Sequence, residues 1–159
     1  MGAKPTKAAG NVYCQARLEA SAYDERLKSR EKAAEMLGYD TSTVAGWELG
    51  SKRPSPEAVL LMADTYNAPS LCNHFCVSEC PLGKDVPAVV DGNLDRLTLL
   101  LLGTMKNIKE AKKELIDITA DGKITKDEIP VLERILAVFD EISMIHSSLK
   151  IWYQKNSRE

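Results

Sequence analysis

The stretch from Ser29 to Pro54 constrains this chain more than any other. Ala33, Ala34 and Leu37 place an apolar stripe at helical spacing, and Gly38 then stops that helix. Glycine accepts the left-handed backbone of a helix end at no steric cost. Asp40 or Thr41 supplies a side-chain oxygen to cap a second helix. Val44 and Trp47, three residues apart, give that second helix an apolar side to bury against the first. Two short helices crossing over a glycine-containing turn make a helix-turn-helix, a device that fits the major groove of a duplex.

The order of residues adds to this geometry. The pair Ala33-Ala34, the turn Gly38, Thr43-Val44, and Trp47-Glu48-Leu49-Gly50 running into Lys52-Arg53-Pro54-Ser55 form one ordered set. A further helix is expected from Glu57 to Tyr66, with Leu60, Leu61 and Ala63 as core positions. This pattern resembles the phage-repressor-like (Cro/repressor, XRE) helix-turn-helix family over roughly residues 11–69. The resemblance implies a DNA-binding regulator and assigns roles. Arg30 contacts a phosphate, and Lys32 is among the flanking cations. Thr41, Ser42, Ala45 and Gly46 face the groove, with Thr43 beside them, and Lys52 and Arg53 hold the backbone. It also implies a structural pair between Glu48 and an arginine of the opening helix, for which Arg17 is the candidate. Several residues beyond the family's pattern stand between Arg17 and Arg30, so the first helix or its loop is longer.

As readers of bases the groove-facing residues are weak. Thr41 and Ser42 hydrogen-bond almost any base, Ala45 offers contact with a thymine methyl, and Gly46 offers nothing. There is no Arg, Asn or Gln for bidentate readout. Specificity then leans on DNA shape, or on Lys4 and Lys7 of an amino-terminal arm in a minor groove. The charge balance argues the same way. Residues 1–83 hold 9 Lys and Arg against 10 Asp and Glu, and residues 84–159 hold 12 against 13. A duplex reader normally shows a basic excess, so binding here depends on clustering. Lys28, Arg30, Lys32, Lys52 and Arg53 all flank the motif.

The 159 residues allow one or two small domains, and strand-like alternation is absent, so an all-α fold is expected. That fold is a repressor-like helix-turn-helix domain followed by a long antiparallel two-helix hairpin. Residues 1–10 read as a flexible arm, 11–83 as the helix-turn-helix domain with a cysteine-rich last helix, 84–93 as a linker, and 94–155 as the hairpin. No apolar run reaches membrane-spanning length and the amino terminus lacks the apolar core of a signal peptide, so a cytoplasmic protein is expected.

Cys72, Cys76 and Cys80 form Cys-x3-Cys-x3-Cys, with His74 between the first two and Cys14 far upstream. On a helix, residues four apart share a face, so the thiols would line one stripe until Pro81 and Gly83 end it. Two readings stand. Cys72, Cys76 and Cys80 with Cys14 or His74 supply four ligands for zinc, or four thiolates for an iron-sulfur cluster, or act as a redox switch. Alternatively the thiols are reduced, partly buried small hydrophobes.

In the carboxy-terminal half, Leu94, Leu97, Leu101, Thr104, Ile108, Ala111, Leu115 and Ile118 step by three and four. So do Leu132, Ile135, Phe139, Ile142, His146, Leu149 and Tyr153, which puts His146 on the apolar seam. Leu99, Leu100, Leu102, Val138, Ile145 and Trp152 widen the apolar faces beyond one seam. A lone hairpin cannot cover them all, and a homodimer joined through a four-helix interface is expected. The turn, Asp117 to Glu128, outlines a calcium loop, but Thr119 replaces an acidic ligand and Pro130 follows closely. An Asp121-Gly122 turn and a Thr125-x-x-Glu128 capping box account for the same letters, and calcium is not expected. Lys106, Lys109, Lys112 and Lys113 with Glu110 and Glu114 read as a solvated face.

Three functions compete. The first is a sequence-specific DNA-binding transcriptional regulator acting as a dimer. The second is a protein-interaction module on a helix-turn-helix scaffold. The third is a metal- or redox-responsive regulator working through the cysteines. An enzyme is not expected, since no nucleophile–base constellation or phosphate loop is present and the only histidines are His74 and His146.

Overall fold

A computed structural model describes residues 7–157 except Asp91. Seven α-helices are present among the described residues and no strand: α1 (Val12–Ala20), α2 (Arg30–Leu37), α3 (Thr41–Glu48), α4 (Pro56–Thr65), α5 (Ser70–Ser78), α6 (Leu94–Ile118) and α7 (Ile129–Asn156). The chain divides into two compact units, Met1–Val86 and Pro87–Glu159. Lys4 of the expected minor-groove arm lies outside the described residues, as does the side chain of Lys7. Residues Lys7–Gly10 form a short 3-10 turn with Ala8 buried.

In the first unit, side-chain caps start the helices. Asn11 Oδ1 accepts from the N–H groups of Tyr13 (2.9 Å) and Cys14 (3.3 Å). Ser29 Oγ accepts from Lys32 N–H (3.3 Å), and Ser55 Oγ from Ala58 N–H (3.2 Å) ahead of Pro56. Gly38 closes α2 with φ 73°, as its position demands. Asp40 departs from expectation: it occupies the cap position of α3 without a side-chain cap bond. The residues between Arg17 and Arg30 that exceed the family's pattern form a turn and a second 3-10 helix, Glu25–Lys28, whose Leu27 is fully buried.

The core of this unit joins Leu27, Ala33, Val44, Trp47, Val59, Met62 and Leu71. Each large apolar side chain buried there contributes about 1.5–3 kcal/mol by removal from water. Leu60 and Leu61 are not part of it: they are 58% and 45% exposed. Residues 58–63 are apolar throughout, so the sequence leaves the phase of α4 open. Ala58, Val59, Met62, Ala63 and Tyr66 take the inner side, and the 100° step then turns Leu60 and Leu61 outward.

In the second unit α6 and α7 pack as an antiparallel pair. Leu97, Thr104, Ala111 and Ile118, seven apart, are the buried positions of α6. On α7 the seam differs from expectation. Ile135 and Ile145 are buried, and Val138, Ile142, Leu149 and Trp152 are half-buried, whereas Phe139, His146 and Tyr153 are exposed. Both sets step by three and four, and only the phase separates them. The buried hydroxyls of this unit are satisfied by their own helices. Thr104 Oγ1 donates to Leu100 O (3.1 Å) and Ser148 Oγ to Met144 O (2.8 Å). Gly122 turns the chain at φ 73°, and Asp121 Oδ1 accepts from Lys123 N–H (3.0 Å). Glu128 turns back onto Thr125, accepting from its N–H (2.7 Å) and hydroxyl (2.8 Å). That is the carboxylate half of the expected capping box, with α7 itself beginning at Ile129.

Candidate nucleic-acid interface

The outer face of α3 is built from the inside out. Val44 and Trp47 are buried against α2, and the Tyr39 ring meets Trp47 edge-on at 4.9 Å. Asn11 Nδ2 donates to Trp47 O (3.0 Å), tying the start of α1 to the end of α3. Sequence reasoning passed over Asn11, although an Asn directly before an apolar helix start is a recognisable cap signal.

Glu48 locks the same end. Arg17 grips its carboxylate with two bonds, Nε to Oε1 at 2.6 Å and Nη2 to Oε2 at 3.1 Å. Arg17 is 4% exposed and Glu48 1%. The Arg17–Glu48 pair implied by the resemblance is therefore present, and the extra turn before Arg30 strengthens it. Arg17 Nη1 donates to the carbonyls of Leu27 (2.7 Å) and Lys28 (3.2 Å). Burial alone would raise the Glu48 carboxyl, but hydrogen bonds from Arg17 and then Arg30 outweigh it and hold it below the ordinary value. Tyr66 is buried beside this pair, and its hydroxyl has no hydrogen-bond partner among the described residues.

With that inner face fixed, Ser42 is exposed and Thr41, Thr43 and Ala45 are half-exposed. Thr41, Ser42 and Ala45 share one side of the helix. Gly46 does not join them. It is buried, and a Cβ there would stand 2.9 Å from Lys52 Cδ, so the stem of Lys52 lies across it. Glycine serves here to let Lys52 close over the helix.

The cations are more engaged than their positions suggested. Arg30, expected on a phosphate, donates from Nε to Glu48 Oε2 (2.9 Å). Lys32 pairs with Glu35 (2.8 Å) and Lys28 with Glu25 (2.9 Å), both well exposed. Arg53 Nε lies 3.3 Å from Glu79 Oε2, whose other oxygen accepts from the Tyr13 hydroxyl. Glu79 was missed from the sequence, because nothing in its neighbourhood indicates that the chain past α5 returns to Arg53.

The cysteines are not gathered as ligands. Among the described residues no group of three or more His, Cys, Asp or Glu side chains is placed to hold a metal ion, so the structure does not bring Cys14, Cys72, Cys76 and Cys80 together as a ligand set. Cys80 lies beyond the end of α5, its N–H donating to Phe75 O (2.9 Å), so the three-thiol stripe breaks after Cys76. The residue before a proline disfavours helix, and Pro81 imposes this on Cys80. Cys14 is buried beside the Arg17–Glu48 pair, where burial and then the Glu48 charge push its thiol up. Burial, then the neighbouring Cys76, pushes the Cys72 thiol up as well. A thiol alkylating reagent should therefore modify Cys76 and Cys80 in the native protein and reach Cys14 only after unfolding. Mass mapping of early products shows the order, and early labelling of Cys14 would contradict its burial.

Residues 21–70 match the Helix-turn-helix family model, and the segment is a helix-turn-helix. The matched residues contain the ordered set of motif residues from Ala33 to Ser55. No curated protein and no solved structure matches the chain. No helix among the described residues is long and apolar enough to cross a membrane.

Proposed function

We propose that this protein is a DNA-binding transcriptional regulator of the XRE type that acts as a dimer and presents α3 to the major groove. The observation that carries this reading is the division of α3. One side is anchored by Val44, Trp47 and the buried Arg17–Glu48 pair, while Thr41, Ser42 and Ala45 stand outward at its amino-terminal end. A recognition helix contacts bases through that end. The helix-turn-helix match supports a DNA-binding regulator. Short hydroxyls read bases loosely, so shape and phosphate contacts supply much of the discrimination. Lys52 and Arg53, both exposed and directly after α3, are the phosphate-facing cations in this reading, and Lys32 flanks them.

Selection of bound sequences from a random duplex pool tests it. Thr41→Ala with Ser42→Ala should weaken binding to the selected site by about 1–3 kcal/mol while leaving random-duplex binding unchanged. Lys52→Ala should weaken both and flatten the salt dependence by about one counterion. Unchanged footprints for the Thr41/Ser42 variant would remove α3 from the reading role.

One observation favours a second reading, a protein-interaction module on this scaffold. Four of the five cations flanking the motif are paired with carboxylates, while Leu49, Leu60 and Leu61 of the same unit are exposed. A protein without salt-dependent affinity for random duplex would be this second kind.

A further inference from the structure

The two faces of the α6–α7 hairpin differ. Beside the seam on one side lie the Glu114–Arg134 ion pair (3.1 Å) and Ser148, whose Oγ accepts from Val90 N–H at 3.0 Å. The chain's own segment before α6 therefore covers part of that face. At 100° per residue, Leu94, Met105 and Ile116 of α6 fall on the opposite side of the seam, and Leu136, Phe139 and Tyr153 of α7 fall on the same opposite side. All six are between 42% and 65% exposed. Leu132, Phe139, His146 and Tyr153 on that side step by seven, the spacing of a second coiled-coil seam. Lys112, one heptad after Met105, is exposed on this same side, so the apolar residues stand around a single cation. Exposed apolar side chains gathered on one side of a hairpin mark an interaction surface.

The charges at the rims name the occupant. The outer edge of α6 carries Lys106, Lys109 and Lys113, and the outer edge of α7 carries Glu133 and Asp140, all exposed. The Glu114–Arg134 pair sets the register of the hairpin. It puts Lys109 level with Asp140 and Lys113 within a turn of Glu133. Each outer edge thus bears the complement of the other at the same height.

We propose that a second copy of the hairpin covers the open face, with the two-fold axis parallel to the helices and each α6 against the partner's α7. That axis sets the lysine rim of one copy beside Glu133 and Asp140 of the partner subunit on both sides of the bundle, with every neighbouring helix pair antiparallel. A two-fold axis across the helices would instead bring lysine rim to lysine rim. The inference rests on the dimer of the proposed function and identifies its surface and arrangement.

The full chain without DNA, measured for mass in solution at micromolar concentration, tests it. The wild-type protein should have twice the chain mass. Lys106→Glu with Lys109→Glu and Lys113→Glu should weaken self-association by at least about tenfold, and so should Glu133→Lys with Asp140→Lys. All five substitutions in one chain should restore the dimer, and equal amounts of the two partial variants should pair with each other. Helical circular dichroism keeps a folding failure from passing as dissociation, since these edges lie away from the hairpin's own seam. A wild-type monomer, partial variants that still dimerise, or a five-fold variant that stays monomeric while folded would each overturn the proposal. Duplex binding is read separately. Its loss with the dimer intact would sink DNA binding and leave this surface standing, and a DNA-binding monomer would sink the dimer and this surface while leaving DNA binding standing.

Discussion

Glu48→Ala should destabilise the first unit by about 3–5 kcal/mol, enough to unfold a marginal domain. The carboxylate accepts three donors, two from Arg17 and one from Arg30. Deleting it leaves the Arg17 guanidinium in a 4% exposed site with the neutral Leu27 and Lys28 carbonyls and the Cys14 sulfur, at 3.9 Å, as its remaining partners. An uncompensated buried charge costs far more than the net worth of the pair it came from. Arg30→Ala should cost much less, because Arg30 is a third exposed and Arg17 keeps its two-bond grip. The measurement is denaturant unfolding followed through Trp47 fluorescence, with Trp152 replaced by Phe so that only the first unit reports. A change below about 1 kcal/mol for Glu48→Ala would mean that the pair is not a keystone.

The same residue gives an acid limb. The folded-state carboxyl is held below its ordinary value, so Glu48 contributes stability that is complete above the unfolded value of 4.5. That contribution drains away as pH falls through the folded value. Wild-type stability of the first unit should therefore fall with acid more steeply than that of the Glu48→Ala variant.

Where the sequence was legible, local chemistry decided the structure. Gly38 marks the end of α2 because only a left-handed residue fits there, and the apolar triplet of α2 has one possible phase. The Arg17–Glu48 pair was reached through family resemblance, and the chain between them gave no local sign of it. What stayed hidden were choices of phase and long-range returns. Residues 58–63 are apolar on all sides, so nothing local decides that Met62 is buried and Leu60 exposed. The same ambiguity hid the α7 seam, where Phe139 and Tyr153 are as regularly spaced as the residues that pack. The pairing of Arg30 with Glu48 and of Arg53 with Glu79 had no local sign, because each carboxylate lies far along the chain. Gly46 looked groove-facing because its outward side is covered by Lys52, a residue of the following loop.

Gly83→Ala should do its damage through backbone, and it makes the second large effect. A Cβ at Gly83 would stand 1.7 Å from the carbonyl oxygen of Cys76 and 2.6 Å from its carbonyl carbon. No side chain can move aside to relieve this. Either α5 or the turn at Gly83–Asp85 must retreat by more than an ångström to reach ordinary contact. Overpacking of this kind costs about 1–3 kcal/mol and more where the obstacle is main chain. The turn is held by Gly83 N–H to Cys80 O (3.0 Å) and Val86 N–H to Gly83 O (3.1 Å), so it moves as a piece. Glu79 lies just before it and joins Tyr13 to Arg53, so the strain reaches the loop after α3. The expected result is faster hydrogen exchange across residues 79–86 and faster alkylation of Cys76, alongside a lower unfolding midpoint. Gly10→Ala, where a Cβ meets nothing within 4 Å, is the matched control and should leave both rates unchanged. If Gly83→Ala matches that control, the close approach of the turn to α5 does not hold in solution. The tether from Tyr13 through Glu79 to Arg53 would then have to stand without it.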